Sequence, residues 1–334
     1  MQLLSGSGAF TDQDISIINS NFSQAASNII TGNKIYLDPA NTYGTSGDTN
    51  SGLSPQSAVV SLNTAYNLLR DGANDGIVLL SNGATSSTAR LNAAFTWAKS
   101  CAHFVGSCAP TIVGQRARIA PGTTATAFKL FFTVSGNGCM FANLEFFQGF
   151  AVGTTAEICM TVSGNRNAFI NCQIAGMADT DGAGQADAGS RNLKITGAEN
   201  TFSSCWIGDD TAVRTNANAS LELAGNVARN QFNDCIFPAY VGSGGAPVFI
   251  YTAAVAAIDR WTFFRRCAFL NATLSGATAM TAGITLHASS GGGLLLDSPT
   301  FVGLTAICDA GSKAQTYLNG PTPNGGAGVS VVVT

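Results

Sequence analysis

Residues 167–176 read NAFINCQIAG, and the phrase returns as NTFSSCWIGD at 200–209, NQFNDCIFPA at 230–239 and TFFRRCAFLN at 262–271. Each copy has an aromatic residue, a cysteine three places on and an apolar residue two places after that. In register stand Phe141, Phe169, Phe202, Phe232 and Phe264, with Leu296 last, at spacings of 28, 33, 30, 32 and 32 residues. Three places on stand Leu144, Cys172, Cys205, Cys235, Cys267 and Pro299. Five places on stand Phe146, Ile174, Ile207, Phe237, Phe269 and Phe301. A second run precedes most copies: FFTVSG (131–136), CMTVSG (159–164), LKITG (193–197), LELAG (221–225) and ITLHAS (284–289). Val134, Val162, Ile195 and Leu223 align within it.

A period of this length means a solenoid, a propeller or an array. The runs alternate with period two and lack helix-forming fillers, which excludes a helical repeat. A propeller blade needs four strands and ~40 residues or more. One coil of a parallel β-helix per period, with two or three short strands, fits instead. Phe169 and Cys172 have opposite parity, so one straight strand would point them to opposite faces. Both turn inward only if the chain corners between them. The residue before the cysteine position is Asn143, Asn171, Ser204, Asp234, Arg266 or Ser298. Asn and Asp tolerate the left-handed conformation that a corner needs. The four repeat cysteines then form a packed interior ladder, spaced too regularly for disulfides.

The ends differ from the middle, as solenoid caps do. KIYLD (34–38) reads as a strand. In SLNTAYNLLRDG (61–72), Ser61 is placed to cap a helix, with Leu62, Ala65 and Leu69 on one face and Gly72 to end it. GIVLLSNG (76–83) reads as the next strand. Ahead of them, Phe10, Ile15, Ile18, Phe22 and Ile29 recur at roughly helical spacing in a short N-terminal arm. The apolar face of this arm needs a sister subunit, a larger assembly or the chain's own solenoid to cover it. GVSVVVT (328–334) reads as a terminal strand. The chain divides into the arm (1–32), an N-terminal cap with first coils (33–110), the β-helix (111–310) and a C-terminal cap and strand (311–334).

The 334 residues carry only 10% charged side chains and a net charge of −3, with 46% hydrophobic residues. Such a chain is too apolar for disorder and too poor in cations for nucleic acid. No basic signal segment opens it, and no run of about 18 apolar residues spans a membrane. Nine cysteines, an odd number, fit a reducing compartment better than a disulfide framework.

The stretch YLDPANTYGTSGDTNSGLSPQSAVVSLNTA (36–65) resembles the opening of many right-handed β-helix proteins, through Asp38, Pro39, Gly47, Asp48, Gly52, Leu53, Ser54 and Pro55. The rungs resemble pectate-lyase-like folds, including the corner Asn. An arm ahead of such a domain resembles virion structural proteins of tailed bacteriophages: capsid-decorating proteins, head fibres and tailspikes. The resemblance implies an all-β, right-handed single-stranded parallel β-helix with a cap helix and a short helical arm. It implies a homotrimer in the virion, assembled in the host cytoplasm. The arm would meet the major capsid protein or other virion proteins, and a host-surface glycan is a further candidate partner.

The chemistry-bearing residues are sparse. His103 and His287 are the only histidines and no C-x-x-C occurs, which leaves CAHFVGSC (101–108) a weak metal candidate. Asp179, Asp181 and Asp187 sit among glycines, where hard oxygen ligands would suit Ca²⁺, although the spacing is not an EF-hand. Asp209 and Asp210 follow a repeat strand and are the candidate catalytic pair of a glycosidase. β-Helical polygalacturonases also carry a double Asp, with Gly-His-Gly and Arg-Ile-Lys motifs that this chain lacks. A lyase would want a base and cations, and Arg214, Arg265 and Arg266 are the nearest. The leading expectation is a non-enzymatic virion protein without a cofactor, anchored by its arm. A tailspike-like polysaccharide-degrading enzyme and a non-catalytic receptor-binding fibre stand beside it.

Overall fold

A computed structural model describes residues 30–42, 44–107, 117–123, 129–149, 158–177, 188–242, 246–271 and 278–319. The arm residues Phe10, Ile15, Ile18, Phe22 and Ile29, the acidic loop with Asp179, Asp181 and Asp187, Cys108 and the run 328–334 lie outside them.

One coil shows the plan. Ile158–Val162 is a strand of sheet I, Ala168–Ile170 of sheet II and Gln173–Ala175 of sheet III. The next coil places Arg191–Ile195, Thr201–Ser203 and Trp206–Ile207 beside them, parallel and in register. Among the described residues, repetition yields seven strands in sheet I, ten in sheet II and nine in sheet III. The chain is a right-handed parallel β-helix, the all-β solenoid expected from the repeat. Sheet II runs unbroken from Lys34–Leu37 to Thr316–Asn319.

The corner between sheets II and III falls where the parity argument puts it. Asn143, Asn171, Ser204, Asp234, Arg266 and Ser298 all have positive φ, from 47° to 56°. The left-handed turn sends both flanking side chains inward. Phe141, Phe169, Phe202, Phe232 and Phe264 are fully buried and stack ring on ring, with centroids 4.6 to 4.9 Å apart. That is the strand spacing itself, so backbone pairing and ring stacking impose the same repeat. Each such ring contributes about 1.5–3 kcal/mol by burial.

The repeat cysteines stand one step behind. Cys172, Cys205, Cys235 and Cys267 are buried, and each thiol donates 3.4 Å to a Phe carbonyl of the coil before: Phe141, Phe169, Phe202 and Phe232. Burial pushes the Cys235 thiol well above its ordinary range, so it is inert at neutral pH. None of the eight described cysteines forms a disulfide.

A second ladder sits at the corner between sheets I and II, on the first letter of NAF, NTF and NQF. The Asn167 side chain accepts from the Cys139 amide, Asn200 from the Asn167 amide and Asn230 from the Asn200 amide, at 2.8 to 2.9 Å. Their amide nitrogens donate back to Gly136, Gly164 and Gly197 carbonyls. All three are almost wholly buried, and these coils rely on a side chain to satisfy the backbone at this corner.

The helix α1, Leu62–Leu68, covers the first coil, with Ser61 accepting from the Thr64 amide as its N-cap. Leu62, Ala65 and Leu69 join the core beneath it. The helix stops before Gly72, contrary to the sequence reading. Asp75 takes the Arg70 amide at 2.8 Å and so pulls the chain out of the helix, and Lys99 Nζ caps the Tyr66 and Leu69 carbonyls at 2.7 and 2.6 Å. In the loop that precedes α1, buried Asp38 accepts from Thr42 and Ser46, and Asp48 from the Val60 and Ser61 amides. Ser54 and Ser57 form a capping box around Pro55. No helix among the described residues is long and apolar enough to cross a membrane.

Candidate functional site

Asp209 and Asp210 open the strand Asp209–Arg214 on sheet III. The Asp209 carboxylate accepts from the Thr211 and Ala212 amides, both at 2.8 Å, and from the Thr211 hydroxyl, which fixes a local turn. Arg214 points the other way. It is 2% exposed, held by Asn218, Ser220 and the Val248 carbonyl, and burial lowers its pKa. Arg266 is clamped on Asp234 through two bonds of 2.7 and 2.8 Å. Asp209 is engaged in its turn, Arg214 is interior and Arg266 already has its carboxylate, while Asp210 stands half-buried beside Asp209. Among the described residues no group of three His, Cys, Asp or Glu could hold a metal ion.

The functional-looking side chains stand instead on the outer face of sheet I. In its strands Phe132, Met160, Leu193, Leu221 and Ile250 point into the core. Alternation turns the next residue outward, and Thr133, Thr161, Lys194, Glu222, Tyr251 and Thr285 line up coil by coil. Glu222 binds Arg191 Nε at 2.7 Å and Lys194 Nζ at 2.9 Å. The Arg191 guanidinium lies 4.8 Å over the Tyr251 ring and donates to the Ala188 and Ser190 carbonyls. Arg191 and Glu222 are 7% and 9% exposed, whereas Lys194 is 29% exposed. Arg191 is therefore a fixed brace, and Lys194 is the cation that reaches solvent.

Beside Tyr251 opens a cavity of about 300 Å³, lined also by Pro247, Val248, Thr285 and Asp309. Asp309 is engaged, because its carboxylate accepts from the amide and hydroxyl of Ser312. The face thus offers two cations, the Glu222 carboxylate they hold, a tyrosine, and a concave end at which a second carboxylate, Asp309, stands. A comparable row on sheet III, Arg118, Glu145, Gln173 and Trp206, is in register too, but Glu145 and Gln173 are buried.

Sequence reasoning missed Arg191, Lys194, Glu222 and Tyr251. Two were readable: Lys194 and Glu222 occupy the same outward letter of LKITG and LELAG. Tyr251 was hidden because its strand, Val248–Tyr251, went unassigned. Ile250 precedes Phe264 by fourteen residues where Met160 precedes Phe169 by nine, so the run falls out of phase.

No protein-family model matches the chain, and no curated protein matches it. Solved structures do. Pectate lyase Pel9A aligns over 87% of this chain and 76% of its own, at 13% identity and a TM-score of 0.53. Pectin methylesterase PemA from Erwinia chrysanthemi aligns over 86% and 81%, at 12% identity and a TM-score of 0.52. The Aspergillus niger pectin methylesterase aligns over 86% and 84%, again at 12% and 0.52. ORF18 of Geobacillus virus E2 aligns over 89% and 64% with a TM-score of only 0.34, and nothing is built on it. The expectation of a non-enzymatic protein is corrected here. It rested on missing polygalacturonase motifs, and the proteins that share this fold include enzymes of other kinds, a lyase and esterases. At such identity the likeness is one of fold, and any chemistry has to come from the chain's own residues. The chain has a pectate-lyase-like parallel β-helix fold.

Proposed function

We propose that the protein degrades an anionic polysaccharide bound along the outer face of sheet I, as a tailspike-like enzyme. The observation that carries this reading is the in-register row Lys194, Glu222 and Tyr251, braced by Arg191 and opening into the cavity at Tyr251. Hydrolysis by two carboxylates needs both free to act. Here Glu222 is clamped by two cations and Asp309 by Ser312. Elimination suits the set better. Lys194 would hold the carboxylate of a uronic residue and stabilise the charge that develops when the adjacent proton leaves. The Tyr251 hydroxyl oxygen would accept that proton and give its own proton to the departing glycosidic oxygen. The C–H electrons form the new double bond, the glycosidic C–O bond breaks, and the leaving oxygen is protonated.

The test is incubation with polygalacturonate, alginate and acidic bacterial surface polysaccharides, following the absorbance of the unsaturated product and the release of reducing ends. Tyr251→Phe and Lys194→Gln are expected to lower turnover by about 100-fold or more with unchanged thermal stability. Absence of cleavage of every anionic polysaccharide by the wild type, or full activity in Tyr251→Phe, would sink the reading.

A location on a phage particle, as a homotrimer attached through residues 1–32, is proposed with it. Its support is the apolar pattern of Phe10, Ile15, Ile18, Phe22 and Ile29, for which the repeating coil has no position.

A further inference from the structure

Nearly every large aromatic side chain among the described residues is turned inward or half-covered. The exposed ones are Trp261 and Tyr317, at 42% and 50%, and they touch each other, with ring centroids 4.9 Å apart at 69°. They stand away from the sheet I row. Trp261 ends the turn that leads into Thr262–Arg265 of sheet II, and Tyr317 lies in Thr316–Asn319, the last strand of that sheet. Leu53, Leu68, Leu130 and Val255 are also exposed, but Trp261 and Tyr317 are the exposed aromatic rings among the described residues, and their contact marks a binding surface.

The place is concave, a pocket of about 280 Å³. Glycine keeps it open: a Cβ on Gly293 would come within 3.0 Å of the Trp261 ring and 2.8 Å of the Gln315 carbonyl. The rim is polar and locally neutral. Arg260 pairs with Asp259 at 3.2 Å in full view of solvent. The Gln315 amide donates to the Ala288 carbonyl at 3.0 Å, and its buried side-chain oxygen accepts from no described residue.

We propose that this pocket binds a sugar ring, as a carbohydrate subsite separate from the sheet I face. A pyranose has an apolar C–H face and a rim of hydroxyl groups. The Trp261 and Tyr317 rings offer a surface for the first, and the exposed Asp259 and Arg260 offer acceptors and donors for the second. The size admits about one ring, at the lower end for ligand pockets and far below the ~800 Å² per partner of a protein interface. The paired charges favour a neutral sugar over a uronate, so the subsite would select different residues of a polymer from those that Lys194 meets. It would hold a polymer without cleaving it, and it does not rest on the elimination proposed above.

The test is affinity electrophoresis of the full chain in gels that contain dextran, galactomannan, soluble chitosan or polygalacturonate, with saturation-transfer NMR against glucose, galactose and N-acetylglucosamine trimers. Retardation by at least one neutral polymer is expected in the wild type and in Lys194→Gln alike. Trp261→Ala and Tyr317→Ala should each weaken it by about tenfold or more. Gly293→Ala, whose Cβ would crowd the Trp261 ring and the Gln315 carbonyl, should weaken it as well. Absence of retardation by every polymer, or equal retardation of the Trp261→Ala protein, would overturn the proposal. So would a change of oligomeric state in Trp261→Ala by sedimentation, because the rings would then belong to a subunit contact. Loss of polysaccharide cleavage with this binding intact would separate failure of the enzymatic reading from failure of the subsite.

Discussion

At the scale of the residue, the asparagines decide more than the cysteines. Cys172 and its counterparts fill space and donate weakly to a carbonyl, as small buried hydrophobes do. Asn200 holds together three coils: it accepts from the Asn167 amide, donates to the Gly164 carbonyl and meets Asn230. Asn200→Ala would leave a buried amide and a buried carbonyl without partners, at a cost of about 1–3 kcal/mol each. Urea unfolding should report a loss in that range, and a loss below about 0.5 kcal/mol would contradict the ladder. The repeat aromatic and the corner were legible from the sequence because each needs only period and parity. The Asn167 ladder was written there too, two letters before Phe169, Phe202 and Phe232. It went unread because its bonds run between coils some thirty residues apart.

At the scale of the element, the N-terminal cap depends on one carboxylate. Buried Asp75 accepts from Arg70 Nε and Nη2 at 2.9 and 2.7 Å, and from the Asn33 and Arg70 amides at 2.6 and 2.8 Å. The Arg70 hydrogen bonds, with help from the two amides, hold its pKa at about 2, below the ordinary 3.8. A depressed carboxylate stabilises the fold fully above its unfolded value and ceases to do so as pH falls through the folded one. Stability is therefore expected to decline between about pH 4 and pH 2 as the cap loosens. Asp75→Asn should be less stable at pH 7 and should flatten that limb of the urea-midpoint profile. An unchanged acid limb in the variant would show that another group controls it. The end of α1 was misjudged for the same reason: Gly72 was visible as a stop, but the long-range hold of Asp75 and Lys99 was not.

At the scale of the whole molecule, the three sheets divide the labour. Sheet II carries the stacked rings that keep count of the coils. Sheet III begins at the left-handed corner. The outer face of sheet I gathers Arg191, Lys194, Glu222 and Tyr251 from three coils into one patch. No linear stretch holds that patch, so the candidate site was far less legible than the fold. Residues 1–32 add a prediction at this scale. A chain lacking residues 1–29, cut ahead of Ile30, which packs buried with Val105, Met140 and Ala142, should keep its β-helix, judged by circular dichroism and melting. If the proposed attachment to a phage particle holds, it should fail to join such particles, and normal incorporation of the truncated chain would refute attachment through the arm.

The recurring bond from one asparagine to the next has a consequence for how such a chain can change over generations. A second copy of residues 167–199, inserted in tandem, would find the same Asn, Phe and Cys waiting on either side. Reach along the axis is thus a quantity set in equal increments, ~4.8 Å for each coil added or lost. A single duplication or deletion of one DNA segment would lengthen or shorten the rod without inventing any new contact.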